Sequence, residues 1–553
     1  MEFFYENIEI FHYLLKKVCD CVIIEKTRSK ETKMDKYAEQ ALLEYNSEEY
    51  SVRPGGVGGR AYWNICSSQF MFAPQFYFPK LPKARKFRYI AKDKNGELHT
   101  FMAERPEASL TPIWAELPEG LVDLTVEGLN REDQVVHIAG VRTFYKCAPF
   151  PGRGAYPEKA CSYRECAKLA LRYVYNEPAV QYWLEHGVPE PDYAHNAYPS
   201  KTIESIVRAM IAYAKLEPEN AENAMKLARR AADYLLSITP GEGDPLAFLP
   251  PTYSFEGLNA ESVGKVAPAA EGCLGTTMMI YPVSAAGGLL DLYEATGDKK
   301  YYDAVIRIAE YYKRTVLPCG SWYLLFDCKT GKPLTNNICI EFRFVDFFHR
   351  LYEITGEDCW QELEVAHFNY IKEACLKTYK WEGQFEDVKV SGNYRNLTHF
   401  AANKMIGYVA DNLSDDEEMV AEAIELMRYV EDQFVLWGEY PRWDPNAKME
   451  PHHTPAGLEQ YSCYVPIDSS TTTIMTGFTD AYRLTGNRLY LEKALTLADT
   501  VTRRIDLKTG QSPTFWIGEN CAEGRRNYWI NCQIHVAFSM MKMAELTEAE
   551  GIE

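Results

Sequence analysis

The sequence of 553 residues predicts a mainly α-helical protein, a ring of about six helical hairpins preceded by a small antiparallel β-sandwich. Three observations predict this fold. Apolar residues follow a helical period from about residue 160 to the end of the chain, and a helix-ending motif recurs there. Residues 60–150 instead alternate between apolar and polar positions, which is the period of half-buried strands.

The composition is that of a globular protein, and it limits the classes of partner. Apolar residues make up 46% and charged residues 25%, so the chain can bury a large core. The net charge of −19 repels phosphate backbones, which argues against nucleic acid as a partner. Because no apolar run approaches about 18 residues and no signal-peptide pattern is found, we expect no membrane partner.

Cysteine and histidine usage bears on compartment and cofactors. The fifteen cysteines are dispersed, without a Cys-x-x-Cys pair or the spacing of a zinc site. Dispersed thiols in a large chain indicate a reducing environment, so we expect a cytoplasmic protein. His452 and His453 are adjacent, and adjacent side chains point apart on most backbones. We therefore expect no metal and no cofactor.

The chain divides into an N-terminal helical segment (1–50), a fibronectin-like β-sandwich (51–150) and a helical ring (151–553). The glycine-rich residues 53–59 are interpreted as a linker, because no strand precedes them as a phosphate loop would require. In the sandwich region Phe76 alternates with Phe78, and Phe87 with Tyr89. Turn residues fall between such runs at short intervals, as in fibronectin-type domains.

The helical region repeats one device for joining two helices. Residues 292–298, 351–357 and 481–487 each end a helix at a Gly suited to the left-handed cap, followed by an acid or amide that can begin the next helix. The first two copies are 59 residues apart and the last two are 130 apart, two steps of 65. The repeat therefore predicts a further hairpin between the second and third copies.

This hairpin and two others complete the predicted set of six. They pair 401–410 with 419–433, 203–216 with 221–236, and the last helix at 530–545 with one near 161–173. Repeats that bury one face on a neighbour can stack as an open solenoid or close into a ring. Six hairpins of about 60 residues with long loops favour closure.

This pattern resembles the six-hairpin glycosidase-like superfamily, the (α/α)6 toroids of glycoside hydrolases, polysaccharide lyases and sugar epimerases. The resemblance covers residues 160–545, and its most recognisable part is the Leu-Tyr-Glu-x-Thr-Gly-Asp cap at 292–298. Trp-Glu-Gly-Gln-Phe-Glu-Asp at 381–387 and Leu-Glu-Gln-Tyr at 458–461 look like motifs of bacterial members. The resemblance implies an enzyme of carbohydrate metabolism, and an N-terminal β-sandwich is common in such proteins.

In toroids of this family, the loops before the inner helices gather at one mouth. These loops are 239–283, 313–343, 372–399, 435–473 and 505–530. They combine aromatic residues, which stack on sugar rings, with carboxylates, which move protons. The sequence therefore predicts that the active site lies in them.

Glycoside hydrolysis needs two carboxyl groups, one protonated and one ionised. Asp387 is the preferred general acid, with Glu386 next, because both lie among aromatic residues that can raise a pKa by desolvation. Glu459 is the preferred base or nucleophile, and Asp468 is the alternative, although a position before a helix also suits an N-cap. We expect the carboxyl groups of Asp387 and Glu459 to lie roughly 5–10 Å apart across one cleft.

Other residues of these loops are candidates for substrate binding. They are His195, Tyr198, Tyr281, Arg343, Trp381, Tyr394, Asn396, His399 and Tyr461. Arg343 could hold a sugar carboxylate with two hydrogen bonds or form an ordinary ion pair. Further candidates for stacking on sugar rings are Trp322, Trp437, Trp443, Trp516 and Trp529.

Three functions remain open from the sequence. The first is a glycoside hydrolase that acts on oligosaccharides with two carboxylates. The second is a polysaccharide lyase or a uronate or sugar epimerase, in which Tyr394 or His399 abstracts a proton and Asn396 or Arg343 neutralises the enolate. The third is a non-catalytic glycan-binding toroid. The expected partner is an oligosaccharide or glycoside, and a homo-oligomer is left open.

Overall fold

The computed structural model describes residues 35–47, 67–390, 394–438, 454–516 and 528–552. The predictions for residues 53–59, Trp443 and the pair His452 and His453 lie outside these ranges. None of the helices in the described ranges is long and apolar enough to cross a lipid bilayer.

The strands of the described residues begin and end as follows: β1 (Gln69–Phe70), β2 (Gln75–Tyr77), β3 (Lys86–Lys92), β4 (Leu98–Ala103), β5 (Glu107–Ser109), β6 (Gly120–Leu129), β7 (Val135–Lys146), β8 (Thr276–Met278), β9 (Leu325–Asp327), β10 (Val435–Leu436), β11 (Ala456–Gln460) and β12 (Cys463–Pro466).

The helices of the same ranges are α1 (Lys36–Asn46), α2 (Thr111–Trp114), α3 (Tyr163–Asn176), α4 (Pro178–His186), α5 (Pro199–Leu216), α6 (Ala221–Ser237), α7 (Ala260–Val266), α8 (Pro268–Gly272), α9 (Ile280–Thr296), α10 (Lys299–Thr315), α11 (Arg343–Thr355), α12 (Asp358–Ile371), α13 (Phe400–Asn412), α14 (Glu417–Phe434), α15 (Asp468–Thr485), α16 (Arg488–Arg504) and α17 (Ile530–Ala549). Short 3-10 turns span Arg153–Ala155, Ala194–Ala197 and Pro218–Asn220, and a π-helical turn spans Lys372–Leu376.

Five strands form an N-terminal sheet in the order β1-β7-β6-β3-β4. Strand β1 is parallel to β7, and the other neighbours are antiparallel. In β3 the side chains of Phe87, Tyr89 and Ala91 are buried, and the residues between them are not. This is the two-residue alternation that the sequence predicts for a sheet with one covered face.

The fibronectin-like sandwich is not confirmed, because the described residues hold no second full sheet opposite the N-terminal sheet. A two-stranded ribbon of β2 and β5 packs against it instead. Phe76 of the ribbon contacts Phe70 and Phe144, with ring centroids 5.6 and 5.7 Å apart. Trp114 of α2 stacks on Phe144 at 6.2 Å. Alternation in the sequence shows that one face is covered, but it does not show what covers it.

The ring-forming helices pack as six hairpins, as predicted. The pairs are α5 with α6, α9 with α10, α11 with α12, α13 with α14, α15 with α16, and α17 with α3. The last pair joins the two ends of the helical region. The hairpins that the sequence places at 203–236 and 401–433 correspond to α5 with α6 and to α13 with α14.

The six inner helices form a closed ring. Helix α5 packs against α9, α9 against α11, α13 against α15, α15 against α17, and α17 against α5. Between α11 and α13 the contact runs through Glu364, which receives a hydrogen bond from Tyr408 at 2.5 Å and contacts His349 at 3.0 Å. The predicted (α/α)6 toroid is therefore confirmed, and the open solenoid is excluded.

The glycines of the repeated motif end α9, α11 and α15 as predicted. Their φ angles are 70° at Gly297, 69° at Gly356 and 67° at Gly486, in the left-handed region that favours glycine. Asp298 and Asn487 then each accept a hydrogen bond from a backbone N–H in the first turn of the following helix. Because each inner helix is followed by a returning outer helix, the N-termini of the inner helices share one end of the ring, which we call the mouth.

The N-terminal sheet is attached to the ring at the end of α14. One carboxylate oxygen of Asp432 accepts hydrogen bonds from the backbone N–H groups of Met71 and Phe72, at 2.7 and 2.9 Å. Ser67 donates to the side chain of Gln433 at 2.6 Å. Burial raises the pKa of Asp432 to about 7. The attachment therefore consists of buried polar contacts with specific geometry.

Candidate active site

Charged and polar side chains from separate hairpins meet at the mouth. Lys201 lies in the first turn of α5, Tyr281 in that of α9, and Arg343 begins α11. Glu386 lies in the loop before α13 and Glu459 in strand β11. The closed ring brings these positions together because all of them precede or begin an inner helix.

Glu386 is fully buried and held on both carboxylate oxygens. Lys201 Nζ lies 2.5 Å from Oε1, and the hydroxyl of Tyr281 donates to Oε2. The hydroxyl of Tyr253 donates to its backbone carbonyl at 2.9 Å. Burial alone raises the pKa of Glu386, but the charge of Lys201 outweighs that effect, so the pKa is lowered. Glu386 is therefore a permanent carboxylate with both oxygens engaged.

Asp387, the next residue, has a different environment. Its side chain is exposed to solvent, yet desolvation by the surrounding protein and the charge of Glu386 raise its pKa to about 6. Solvent contact and desolvation occur together when a group lies in a concave surface, where protein surrounds it but water still reaches it. Asp387 is thus an accessible carboxyl group in a cleft.

Glu459 lies in a three-stranded sheet of β10, β11 and β12, and its position follows from an irregularity in β11. The pairing of β11 with β12 shifts register between Leu458 and Gln460, which is where a bulge redirects the intervening side chain. The Glu459 carbonyl also accepts a hydrogen bond from Thr398 at 2.8 Å. The sheet is thereby joined to the segment that leads into α13.

The half-buried Glu459 carboxyl is coupled to Asp387, although 72 residues separate the two in sequence. Burial first, and then the charge of Asp387, raise the pKa of Glu459 to about 7. Gln460 donates to Glu459 at 3.2 Å. Two accessible carboxyl groups with raised pKa values therefore act on each other at the mouth. Their separation of roughly 5–10 Å stays a prediction.

Asp468 lies in the protein interior and makes structural contacts. It is fully buried at the first residue of α15, and its oxygens accept hydrogen bonds from Ser469 N at 2.6 Å and Ser512 Oγ at 3.0 Å. Burial raises its pKa well above the ordinary value. The expectation of a base at Asp468 is corrected, because its oxygens hold the start of α15 to the segment around Ser512.

An aromatic wall lies beside Lys201. The ring of His195 stacks on Trp529 with centroids 3.7 Å apart, and Tyr198 is stacked 5.8 Å from the same ring. Lys201 Nζ lies 4.6 Å from the centroid of Trp529. Trp529 therefore contacts protein groups and positions Lys201, whereas the sequence suggested that it binds a sugar ring.

Arg343 is engaged within the protein. Its guanidinium donates to Ser284 and lies 3.5 Å from the carboxylate of Glu341. It also lies 5.8 Å from the ring centroid of Tyr281. The contact with Glu341 is one of the two roles that the sequence left open for Arg343. The other, binding a sugar carboxylate, stays a prediction, since 38% of the side chain is exposed.

Five other predicted substrate-binding residues make structural contacts. Trp381 and His399 are fully buried, and Asn396 is bonded to Gln460 at 2.6 Å. The hydroxyl of Tyr394 donates to a backbone carbonyl at 3.5 Å, and that of Tyr461 donates to the α14 side chain of Gln433 at 2.5 Å. These contacts hold together the loops that carry the acids.

Burial also lowers the pKa of His399 to about 3, so this imidazole is neutral. Three of the tryptophans considered for stacking, Trp322, Trp437 and Trp516, are at most 2% exposed and belong to the core. High aromatic content therefore reflects core packing more than a sugar-binding surface.

Sequence reasoning missed Lys201 and the thiol of Cys463. Lys201 follows Tyr198 by three residues at the start of a largely apolar inner helix, and this position was the available signal. Cys463 forms a hydrogen bond with Glu459, and Cys532 lies close enough for Glu459 to raise the pKa of its thiol. Burial is the main cause of the raised thiol pKa values, so both cysteines are neutral.

One group within the described residues has donor atoms close enough to hold a metal ion. It consists of Asp93, Glu97 and His99 in the turn between β3 and β4. Asp93 Oδ1 already accepts hydrogen bonds from the backbone of Asn95 and Glu97, at 2.8 and 3.0 Å. These bonds account for the cluster as part of a tight turn.

No family model matches this chain. No curated protein matches it either. Among solved structures, a family 76 glycoside hydrolase from a bovine Bacteroides thetaiotaomicron strain is 11% identical, over 85% of this chain and 94% of its own, with a TM-score of 0.43.

Two other solved structures show a similar degree of likeness. A cellobiose 2-epimerase from Spirochaeta thermophila is 11% identical over 69% of this chain and 97% of its own, with a TM-score of 0.45. A polysaccharide lyase is 11% identical over 86% of this chain and 64% of its own, with a TM-score of 0.41. At these values neither an activity nor a site can be transferred, and the ring described above rests on its own helix packing.

Proposed function

We propose that the protein is a carbohydrate-active enzyme, a glycoside hydrolase that cleaves oligosaccharides with Asp387 and Glu459. The observation that supports this most is the coupling of two accessible carboxyl groups at the mouth, with pKa values of about 6 and about 7. Glycoside hydrolysis needs one ionised and one protonated carboxyl group, and a pair with these pKa values supplies both near neutral pH.

The two acids exchange the roles that the sequence suggested. Glu459 has the higher pKa because it is half-buried and faces the charge of Asp387, so it is the group that keeps its proton. Asp387 is more accessible, and Lys201 lowers its pKa against the effects of burial and Glu386. Glu459 therefore serves as the general acid, and Asp387 is the ionised base or nucleophile.

Glu386 and Lys201 support this pair without taking part in proton transfer. The carboxylate of Glu386 stays ionised between Lys201 and Tyr281, and its charge raises the pKa of Asp387. This charge stays in place through the reaction, because Lys201 holds the pKa of Glu386 below its ordinary value.

The lyase or epimerase alternative receives no support from the residues proposed for it. Tyr394, Asn396 and Arg343 are engaged in contacts within the protein, and His399 is fully buried. Proton abstraction beside a sugar carboxylate requires a base and a cation that converge on one substrate position. The described contacts of these four side chains each involve a different partner: Thr378 for Tyr394, Gln460 for Asn396, Glu341 for Arg343 and Asn403 for His399.

The test uses single variants and a panel of aryl glycosides. Asp387→Asn and Glu459→Gln should each lower kcat/KM by about 10²–10⁴-fold. Glu459→Gln should lose least with a dinitrophenyl leaving group, which departs without a proton. In a retaining enzyme, added azide should restore turnover of Asp387→Asn by replacing the carboxylate as nucleophile.

Glu373→Gln is the matched control, because this exposed carboxylate pairs with Lys377 four residues later. It should keep full activity, and all variants should melt within a few degrees of the wild type. Full activity of both Asp387→Asn and Glu459→Gln would contradict the proposal. Products with an unsaturated, ultraviolet-absorbing sugar would instead establish a lyase.

We further propose that the protein acts in the cytoplasm. None of the eleven described cysteines forms a disulfide bond, including the buried Cys147, Cys166, Cys339 and Cys375. A thiol reagent added after denaturation without reductant should titrate most of the fifteen cysteines. A titre lower by several thiols, restored by reductant, would indicate native disulfides and an oxidising compartment.

A further inference from the structure

The six inner helices enclose a bore that begins below the mouth, and helix α13 shows which side chains face it. Lys404 of this helix is exposed between two buried residues, and the half-buried Tyr408 and the exposed Asp411 follow it four and seven residues later. Residues at this spacing share one face of a helix. Because α13 packs against its outer partner α14 and its ring neighbour α15, this open face is directed into the bore.

Far from the mouth, the charges of the bore are joined in ion pairs between neighbouring helices. Arg208 of α5 lies 2.5 Å from Asp291 of α9, and Arg350 of α11 lies 2.8 Å from the same carboxylate. Arg483 of α15 lies 2.8 Å from Asp411 of α13. The same arginines also contact the carboxylates of Glu204, Glu294 and Asp480. The acids in this part of the bore therefore have arginine partners.

Nearer the mouth, three charged side chains lack such partners. Within the described ranges, Asp346, Lys404 and Lys542 have neither an ion pair nor a side-chain hydrogen bond. Asp346 and Lys404 lie three and four residues after the first residue of α11 and of α13, which is one helical turn below the mouth. Lys542 lies deeper in α17, and side chains of a helix tilt toward its N-terminus, here toward the mouth. We call the space among these three groups the well.

The groups of the well are close enough to act on each other. The charge of Asp346 raises the pKa of Lys404 and that of Lys542 lowers it, but burial has the largest effect on Lys404 and lowers its pKa overall. Burial likewise raises the pKa of Asp346, although both side chains are exposed to solvent. After burial, the charges of Lys404, Lys542 and Arg208 lower the pKa of His535 to about 3. The well is therefore a concave site that water reaches.

Arg343 connects the well to the acids of the mouth. It begins α11, three residues before Asp346, so the two share one face of that helix. The charge of Arg343 acts on Lys404 in the well, and that of Glu386 at the mouth acts on Arg343. Since Asp387 directly follows Glu386, the well lies below the pair that is proposed to cleave the glycan.

Unpaired charges at this depth indicate a place for a polar ligand. An ionised group that loses hydration without gaining a partner costs free energy, and a ligand with hydrogen-bonding groups can supply that partner. A sugar hydroxyl can donate to a carboxylate and accept from an ammonium group, and hydrogen bonds to charged groups are the strong ones. Asp346 and Lys404 present one group of each kind on facing helices.

We propose that the well binds one terminal sugar of the glycan, with Asp346 and Lys404 bonded to its hydroxyl groups, so that the enzyme releases single sugars from a chain end. A glycan that crosses the mouth would not reach groups one helical turn below it, whereas a chain end can enter. This inference rests on the proposed function, since it takes Asp387 and Glu459 as the cleaving pair.

Binding of free monosaccharides tests the well without turnover. Wild-type protein is titrated calorimetrically with glucose, mannose, galactose, xylose, N-acetylglucosamine and glucuronic acid. At least one of these sugars should bind, and Asp346→Asn and Lys404→Met should each weaken that binding by about tenfold or more. Binding of none of the sugars would overturn the inference.

A double variant and two controls separate a lost contact from a general disturbance. Asp346→Asn with Lys404→Met keeps the net charge of the bore, so it serves where a single variant melts early, and unchanged sugar affinity in the folded double variant would overturn the inference. Lys215→Met and Glu353→Gln are the matched controls, because both residues are exposed in the last turns of α5 and α11, at the end of the ring away from the mouth. They should leave the affinity unchanged, and an equal loss in them would also overturn the inference.

The products of cleavage distinguish this inference from the hydrolase proposal. Cello-, manno- and galacto-hexasaccharides should yield, early in the reaction, only a monosaccharide and a pentasaccharide from any that is cleaved. Early products of intermediate length would overturn the inference and leave the hydrolase proposal intact. A monosaccharide that binds through Asp346 and Lys404, with no glycoside cleaved, would overturn the hydrolase proposal and leave the sugar-binding well intact.

Discussion

Glu386 and Asp387 are neighbours in the sequence, but they have opposite environments. The buried Glu386 has its pKa lowered by Lys201, and the accessible Asp387 has its pKa raised to about 6. The difference arises from a lysine 185 residues away from Glu386. A pair of adjacent acids therefore divides into one fixed charge and one group that titrates near neutral pH.

The first prediction concerns the pH dependence of activity. In the proposed mechanism Asp387 must be ionised, so kcat/KM should rise as pH passes about 6. Glu459 must be protonated in the same mechanism, so kcat/KM should fall as pH passes about 7. The profile should be a narrow bell with its maximum between these values. The residual activity of Glu459→Gln on a dinitrophenyl glycoside should not fall at alkaline pH. If it still falls there, a group other than Glu459 causes the alkaline decrease.

The second prediction concerns the ion pair of Lys201. Lys201→Met leaves the buried carboxylate of Glu386 unpaired, which should lower the free energy of unfolding by about 3–5 kcal/mol at pH 7. Because the folded-state pKa of Glu386 lies below its ordinary value of 4.5, the pair stabilises above that value and loses its effect as pH falls through the folded-state pKa. Urea denaturation at pH 7 and pH 4 measures both effects.

Lys377→Met is the control for that experiment, because its partner Glu373 is exposed and lies four residues earlier in the chain. It should leave the free energy of unfolding nearly unchanged at either pH. A cost for Lys201→Met that is equal at pH 7 and pH 4 would show that lost packing, rather than the lost charge, destabilises the variant.

The two acids of the proposed site could be selected from the sequence, but the residues that contact them could not. Asp387 and Glu459 were identified because they lie among aromatic residues in loops before inner helices. Lys201 was missed, since nothing local distinguishes it from a solvated helix residue. The sequence suggested that Trp381 binds substrate, because it is an aromatic residue in a loop. Such a residue can also belong to the core, and Trp381 lies there.

At the scale of secondary structure, the repeated glycines determine where the inner helices end. Gly297 has a φ of 70°, and nothing lies within 4 Å of the position of an added Cβ atom. An added methyl group would therefore meet no neighbouring atom, and a substitution there changes stability only through the backbone conformation. Such a site isolates the contribution of the left-handed cap to stability.

The third prediction compares Gly297, which caps helix α9, with Gly287 inside that helix. Gly297→Ala should destabilise the protein by about 1–2 kcal/mol, because the residue must stay left-handed. Gly287→Ala, ten residues earlier in the same helix and also without a neighbour within 4 Å, should stabilise it by about 0.5–1 kcal/mol. Chemical denaturation of both variants measures the difference. Equal effects would mean that the cap has no special role.

At the scale of the whole molecule, Asp432 joins the N-terminal sheet to the ring. The fourth prediction is that Asp432→Ala weakens this attachment by about 2–5 kcal/mol, because the N–H groups of Met71 and Phe72 lose their acceptor. Limited proteolysis should then cleave the sheet region before the ring. Asp432→Asn keeps one acceptor oxygen and should be milder, whereas equal proteolysis of both variants would contradict this assignment.

The sequence alone determined the number of hairpins, their approximate bounds and the glycines that end three inner helices. These features are local, since the helical period and the cap both depend on residues within a few positions of each other. It did not determine what covers the N-terminal sheet, because alternation in β3 is the same beneath a ribbon as beneath a second sheet.

Only the tertiary structure decided which charge meets which at the mouth. Lys201 reaches Glu386 across 185 residues, and Asp387 acts on Glu459 across 72, because closure of the ring brings the starts of distant inner helices together. A pKa depends on burial and on charges within a few ångströms, and neither can be read along the chain. The order of the pKa values of the two acids, and the pairing of Lys201 with Glu386, were decided at that level.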